Sequence, residues 1–114
     1  MQSNKMSSLI TGVVVARKDF VEAHPEAVVD FLEKYEASIK FVNEKNDEAA
    51  TMIESYDIIA AAVAKKALPF CNITYIAGKE MKEKLSGYLS VLNEQNPKSV
   101  GGSLPEDDFY YGAN

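Results

Sequence analysis

The stripe Val28, Phe31, Leu32, Tyr35, Ile39 and Val42 constrains this chain more than any other feature. Its steps of three and four residues put these side chains on one side of a helix, with Phe41 widening the face. Glu33, Lys34, Glu36 and Lys40 lie largely on the other side, where Glu36 and Lys40 form a favourable i,i+4 pair. His24-Pro25-Glu26 marks the start. Proline has its φ preset and lacks only an N–H that would be unpaired there, and Glu26 sets negative charge at the positive end of the dipole. The spacing predicts a helix over residues 25–44. The stripe lasts only about two heptads, too few for a coiled coil, so burial in a local helical core is expected.

The neighbouring segments follow the same logic. Residues 9–16 are apolar and rich in β-branched side chains, which predicts a buried strand. A helical turn follows at residues 18–23. Asn46 is a candidate N-cap for a second helix, with Asp47 and Glu48 in its first turn and Ala49, Ala50, Met52 and Ile53 on its buried side. A turn at Ser55-Tyr56-Asp57 leads to an alanine-rich third helix over residues 58–68, ended by Pro69. Residues 72–76 form a short extended segment, broken by Gly78. A fourth helix spans residues 79–93, with Met81, Leu85, Tyr88, Leu89 and Leu92 as its stripe. Gly87 inside it costs about 1 kcal/mol relative to alanine, which points to close helix approach. Asn96-Pro97 stops it. The tail reads as loop, with Phe109, Tyr110 and Tyr111 expected to dock. The organisation expected is a lead-in over residues 1–8, a strand plus helical domain over 9–96, and a loop tail over 97–114.

Composition narrows the function. The chain has 114 residues, 46% of them apolar, enough for one domain with a core. Its formal charge of −5 argues against a nucleic-acid partner, which needs a basic face to displace counterions. No apolar run approaches the roughly 20 residues of a membrane span. The start shows no basic leader with a continuous apolar core, so no export signal is visible. With Cys71 alone, an intrachain disulfide and a multi-cysteine zinc site are both excluded.

Few residues point to chemistry. His24 is the single histidine, with no ligand at metal-binding spacing, and its place before Pro25 gives it a helix-start role. Cys71 reads as a buried structural thiol, since a nucleophile needs a base and the histidine is distant in sequence. There is no Gly-x-Ser-x-Gly elbow. Glu106-Asp107-Asp108 lacks the ligand pattern of a calcium loop and reads as a solvated acidic turn. Gly101-Gly102-Ser103 reads as a plain turn. No catalytic residue, metal site or cofactor is expected, and the chain is read as no enzyme.

Several segments, taken in order, resemble the C-terminal part of a solute-binding protein of ABC importers, of the nitrate, sulfonate, taurine and thiamine-precursor type. Gly12-Val13-Val14-Val15-Ala16-Arg17-Lys18-Asp19-Phe20 resembles the strand returning between lobes and the next helix start. Glu22-Ala23-His24-Pro25-Glu26-Ala27-Val28, with Phe31-Leu32, Tyr35, Ser38 and Ile39, resembles the following helix. Ala67-Leu68-Pro69-Phe70-Cys71-Asn72-Ile73 and Gly78-Lys79-Glu80-Met81-Lys82 continue the likeness. Leu89, Leu92, Asn96-Pro97, Val100-Gly101-Gly102, Leu104-Pro105 and Phe109-Tyr110-Tyr111 complete it.

The resemblance implies a mainly α chain of about four helices, one N-terminal strand and a short extended segment, the helical part of a type II periplasmic-binding fold. Such proteins close two lobes on a ligand and need roughly 250 to 300 residues. This chain would supply only the last helical portion. The implied function is part of a component that binds and delivers a small anionic or heterocyclic solute. Its partners would be an ABC permease and the solute, and its location extracytoplasmic, periplasmic or anchored at the cell surface. This chain alone is not expected to capture the ligand. Ser7, Ser8 and Thr11, polar groups on the returning strand, are the candidate ligand contacts, set against ordinary polarity where a strand begins. Helix faces that a sheet would cover are expected to stand exposed, driving self-association into a dimer or higher oligomer. Two other readings are a free-standing helical interaction module, mating through the Val28–Val42 stripe or the aromatic tail, and a small enzyme using Cys71.

Overall fold

The computed structural model describes residues 8–113. Among them are five α-helices: α1 (Lys18–Ala23), α2 (Pro25–Glu44), α3 (Asn46–Ser55), α4 (Ala61–Ala67) and α5 (Gly78–Gln95). Short 3-10 turns lie at Leu68–Phe70, Pro97–Val100 and Asp107–Phe109. The protein is mainly helical, as the apolar stripes predict. The chain divides into two compact units, Ala16–Tyr75 and Ile76–Asn114, the latter joined by the N-terminal residues up to Val15.

The strand expected over residues 9–16 is not formed, and no strand occurs among the described residues. A strand exists through its ladder, and no backbone hydrogen bond joins residues 9–16 to another described residue. High β-propensity here meets no partner to pair with. Residues 72–77 likewise run without a ladder. Asn72 opens them in the left-handed region at φ 52°, and the Asn43 side-chain amide donates to the Ile73 carbonyl at 2.9 Å.

In the first unit His24 both closes α1 and opens α2. Its N–H donates to the Phe20 carbonyl at 2.8 Å, and its own carbonyl accepts from Val28 at 3.3 Å. Its imidazole lies 4.9 Å from the Phe20 ring. Lys45 repeats this device between α2 and α3, donating to Phe41 and accepting from Ala49.

α3 and α4 pack through small side chains. Ala49, Ala50 and Ala64 are all at or below 3% exposure, and methyl-sized contacts let the two backbones come close. Asn46 does not cap α3, as its sequence position suggests. It is the first helical residue, and its amide donates across to the Lys65 carbonyl of α4 at 3.1 Å. The last carbonyls of α4 have no partner within their own helix, which makes them ready acceptors. Lys65 also pairs with Asp47 at 3.4 Å, an exposed pair of little energetic weight. At the other end, the Glu54 carboxylate accepts from the Ala61 N–H at 2.7 Å. That anion at a helix N-terminus fixes the start of α4 at Ala61, three residues later than the sequence suggests. Asp57, at φ 57°, makes the intervening turn. At its end α4 tightens into the 3-10 turn through Pro69 instead of stopping before it.

In the second unit α5 begins one residue earlier than expected and extends to Gln95. Met81, Leu85, Tyr88, Leu89 and Leu92 are half-buried along it. Asn96 then turns the chain: its side-chain oxygen accepts from the Lys98 N–H at 3.2 Å, and the Ser99 hydroxyl donates to the carbonyls of Asn96 and Leu92. Gly101 and Gly102, at φ 80° and 98°, make a plain turn. The tail returns to the start of α5. A Cβ built on Gly78 would sit 3.6 Å from the Gly112 carbonyl oxygen. Tyr110 and Ala113 are buried, whereas Phe109 and Tyr111 stay exposed, so one of the three tail aromatics docks.

The α3–α4 contact has no room for a larger side chain. Ala64→Leu is expected to lower stability by about 1–3 kcal/mol through overpacking, measured as the urea midpoint of helical circular dichroism. An unchanged midpoint would show that the two helices do not pack tightly there.

Candidate functional site

Of the three candidate ligand contacts, Ser7 lies outside the described residues. Ser8 is half-buried and Thr11 is exposed. No hydrogen bond joins either hydroxyl to another described residue. Gly12 beside them has open space where a Cβ would point. The structure therefore presents Ser8 and Thr11 on an extended segment, Thr11 open to solvent and Ser8 half-buried.

A concavity in the first unit lies along α2. Glu33, Glu36, Ala37, Ile39, Lys40, Asn43, Thr74 and Tyr75 line it, with a volume of about 640 Å³. The volume suits a small molecule, but the depression lies open to solvent and would leave much of a ligand wet. Two carboxylates against one ammonium also give it the wrong sign for an anionic solute. Asn43 is committed to the Ile73 carbonyl, and Tyr75 meets Tyr35 edge to face at 6.0 Å. Tyr35 in turn stacks on Phe31 with centroids 5.7 Å apart. These aromatics form a row along one side of α2, and Phe31 at its end is half exposed. The row offers flat apolar surface, suited to covering another surface.

Exposed apolar side chains are the dominant surface feature. Among the described residues the buried ones are Ile39, Ala49, Ala50, Ala64, Tyr110 and Ala113, four of the six being alanine. Val29, Phe31, Met52, Ile58, Ile59, Val63 and Phe70 are all exposed in the first unit. Burying one such side chain is worth about 1.5–3 kcal/mol. Their exposure leaves that stabilisation unrealised within a single copy.

Cys71 is exposed, not buried as expected, because it follows the 3-10 turn at the end of α4, and its thiol donates to the Ala67 carbonyl at 3.3 Å. The His24 ring is against Phe20. Among the described residues no group of three or more His, Cys, Asp or Glu side chains is placed to hold a metal ion, and no helix is long and apolar enough to cross a membrane.

The Tyr110 phenol is perturbed. Burial, and secondly the Asp107 carboxylate, hold the Tyr110 phenol above its ordinary pKa of 10.0. Lys82 sits between them, 3.2 Å from Asp107 and 5.9 Å from the centre of the Tyr110 ring. Phe109 packs edge-on to Tyr110 at 5.3 Å. The cluster is a docking site for the tail. Glu54, Asn43 and Lys82 do not stand out in the sequence, whereas Tyr110 belongs to the aromatic run expected to dock and Asp107 to the acidic turn. The partners of Glu54, Asn43 and Lys82 lie 7 to 30 residues away, and only the polar type of each residue hints at a role.

Comparison with known protein families, with curated proteins and with solved structures gives no match for this chain.

Because the folded state favours the neutral phenol, the contribution of Tyr110 to stability is full below the ordinary tyrosine pKa and is lost as pH rises through the higher folded value. Urea midpoints measured from about pH 8 to about pH 11 should show a fall at the alkaline end. Tyr110→Phe should flatten that part of the profile, and Asp107→Asn should move it to lower pH. Identical profiles for all three proteins would show that Tyr110 is solvated.

Proposed function

We propose that this chain acts by binding, not catalysis, as the helical C-terminal portion of the solute-binding component of an ABC importer. In that reading the helices brace the first lobe, and the apolar faces of α2–α4 lie against a sheet that other residues of the full-length protein supply. The observation that supports it is the row of exposed apolar side chains on otherwise well-formed helices. An isolated domain would bury such a row. The extended, apolar, unpaired segment ahead of α1 has the character of a strand leaving a sheet. The order of resembling segments supplies the identity of that sheet.

The solute is a small anion or heterocycle, held between lobes in the extracytoplasmic space and passed to the permease. Ser7, Ser8 and Thr11 would edge the cleft where the chain returns from the hinge. The open depression on α2 takes no part in ligand capture, because its carboxylates repel an anion. A second reading, a free-standing helical module that mates through the same α2 face, draws on the Phe31–Tyr35–Tyr75 row.

The coding sequence upstream of the Met1 codon separates the two. The transport reading expects an in-frame export leader and further strands alternating with helices, bringing the total to roughly 250 to 300 residues. A start signal at Met1, preceded by an in-frame stop, would overturn it and favour the module.

A further inference from the structure

The chain beyond α5 falls into two parts that are held differently. Residues 97–102 are tied down by hydrogen bonds near the end of the helix. The Ser99 hydroxyl donates to the Leu92 carbonyl at 3.2 Å and to the Asn96 carbonyl at 2.7 Å, and the Gly102 N–H donates to the Pro97 carbonyl at 2.9 Å. From Ser103 onward the pattern changes. Among the described residues, the N–H groups of Phe109, Tyr110 and Ala113 donate to Glu106, Asp107 and Tyr110, and no backbone hydrogen bond joins residues 103–113 to α5. Side chains hold this part instead. Tyr110 and Ala113 are each 6% exposed. Lys82 of α5 reaches Asp107 at 3.2 Å and stands over the Tyr110 ring, 5.9 Å from its centre. Between the two parts lie Gly101 and Gly102, at φ 80° and 98°. At neither does any atom come within 4 Å of the place a Cβ would take.

We infer that residues 103–113 form a strap that swings off α5 about Gly102 while the helix stays folded, with Lys82 as its latch. A segment with few buried side chains and no backbone bond to its support opens at lower free energy than the element it lies on. The pivot has open space around it and no side chain to obstruct rotation. Lys82 serves two groups of the strap with one ammonium, the Asp107 carboxylate and the face of the Tyr110 ring. The Asp107 side chain is 87% exposed, so dissolved salt reaches the pair from the strap side. Opening has a consequence because of where the strap is seated. Gly78, whose Cβ position lies 3.6 Å from the Gly112 carbonyl oxygen, and Lys82 mark its place on the helix. Steps of three and four residues put these two positions on one face with Met81, Leu85, Leu89 and Leu92. That face is half-buried with the strap down, and its first turns are uncovered when the strap lifts. Strap and helix belong to one compact unit, and the inference stands apart from the transport reading.

Thiol labelling of the full chain tests it. In a Cys71→Ser background, Ala113→Cys places a thiol at a buried position of the strap, and uncharged iodoacetamide reports how often that position opens. Tyr111→Cys, at an exposed position, gives the rate for an uncovered thiol. At urea concentrations below those that melt the helices by circular dichroism, the Ala113→Cys thiol should label well above the rate extrapolated from global unfolding. Its rate should change little with urea, because a local opening exposes little surface. Lys82→Met, which keeps an apolar stem, should raise that rate about two- to fivefold, the range of an exposed ion pair, with the helical melting midpoint nearly unmoved. Sodium chloride at about 1 M, where the screening length falls to about 3 Å, should speed labelling of the Lys82 protein and leave Lys82→Met unchanged. Chymotryptic cleavage of the unsubstituted chain at its tail aromatics, read by mass, should rise with salt in the same proportion. Labelling that follows helix melting in urea, with no response to salt or to Lys82→Met, would show that the strap leaves only when the unit unfolds. Labelling as fast as that of Tyr111→Cys throughout, with cleavage indifferent to salt, would show that it is never seated. Either result overturns the inference.

Discussion

The close approach of α3 and α4 through Ala49, Ala50 and Ala64 sets the character of the first unit. Small side chains let two short helices meet, and polar groups at both ends hold them in register: Asn46 on the Lys65 carbonyl and Glu54 on the Ala61 N–H. Those two bonds answer the backbone groups that helix ends leave unpaired. A contact made of methyl groups removes little apolar area from water. The larger side chains of these helices therefore remain outside it. Packing by alanine and exposure of Met52 and Val63 are two sides of one arrangement.

The second unit solves its problem differently. α5 is long and carries a half-buried stripe, and it is covered by its own C-terminal continuation. Asn96 and Ser99 bend the chain back through side-chain bonds to nearby backbone groups. Tyr110 then brings a large ring to the start of the helix. The two glycines there, Gly78 and Gly112, take φ of 65° and 68°, a conformation that favours glycine.

The helices were legible because their signals are local. The stripe from Val28 to Val42 and His24-Pro25-Glu26 marked α2 correctly at both ends. The stripe of α5 and its Asn96-Pro97 stop were equally plain. What the sequence could not display was pairing at a distance. β-branched residues between Leu9 and Val15 signalled a strand, yet a strand needs a neighbour, and propensity says nothing of whether one is present. Asn46 looked like a cap because caps are local, whereas its bond goes to a carbonyl nineteen residues away. The start of α4 depended on Glu54, a residue of the preceding helix. For the candidate site the limit is the same. Ser8 and Thr11 are polar groups on an extended segment, and their value depends on what surface faces them.

The return of the tail to α5 also orders events during synthesis. Gly78 leaves the ribosome well before Tyr110 and Ala113, and at 5–20 residues per second the gap is about two to seven seconds. Through that interval the beginning of α5 lacks its cover and its apolar stripe is open to solvent. Nascent chains would be most prone to holdase capture in this window, and a ribosomal pause placed just after the α5 codons would prolong it.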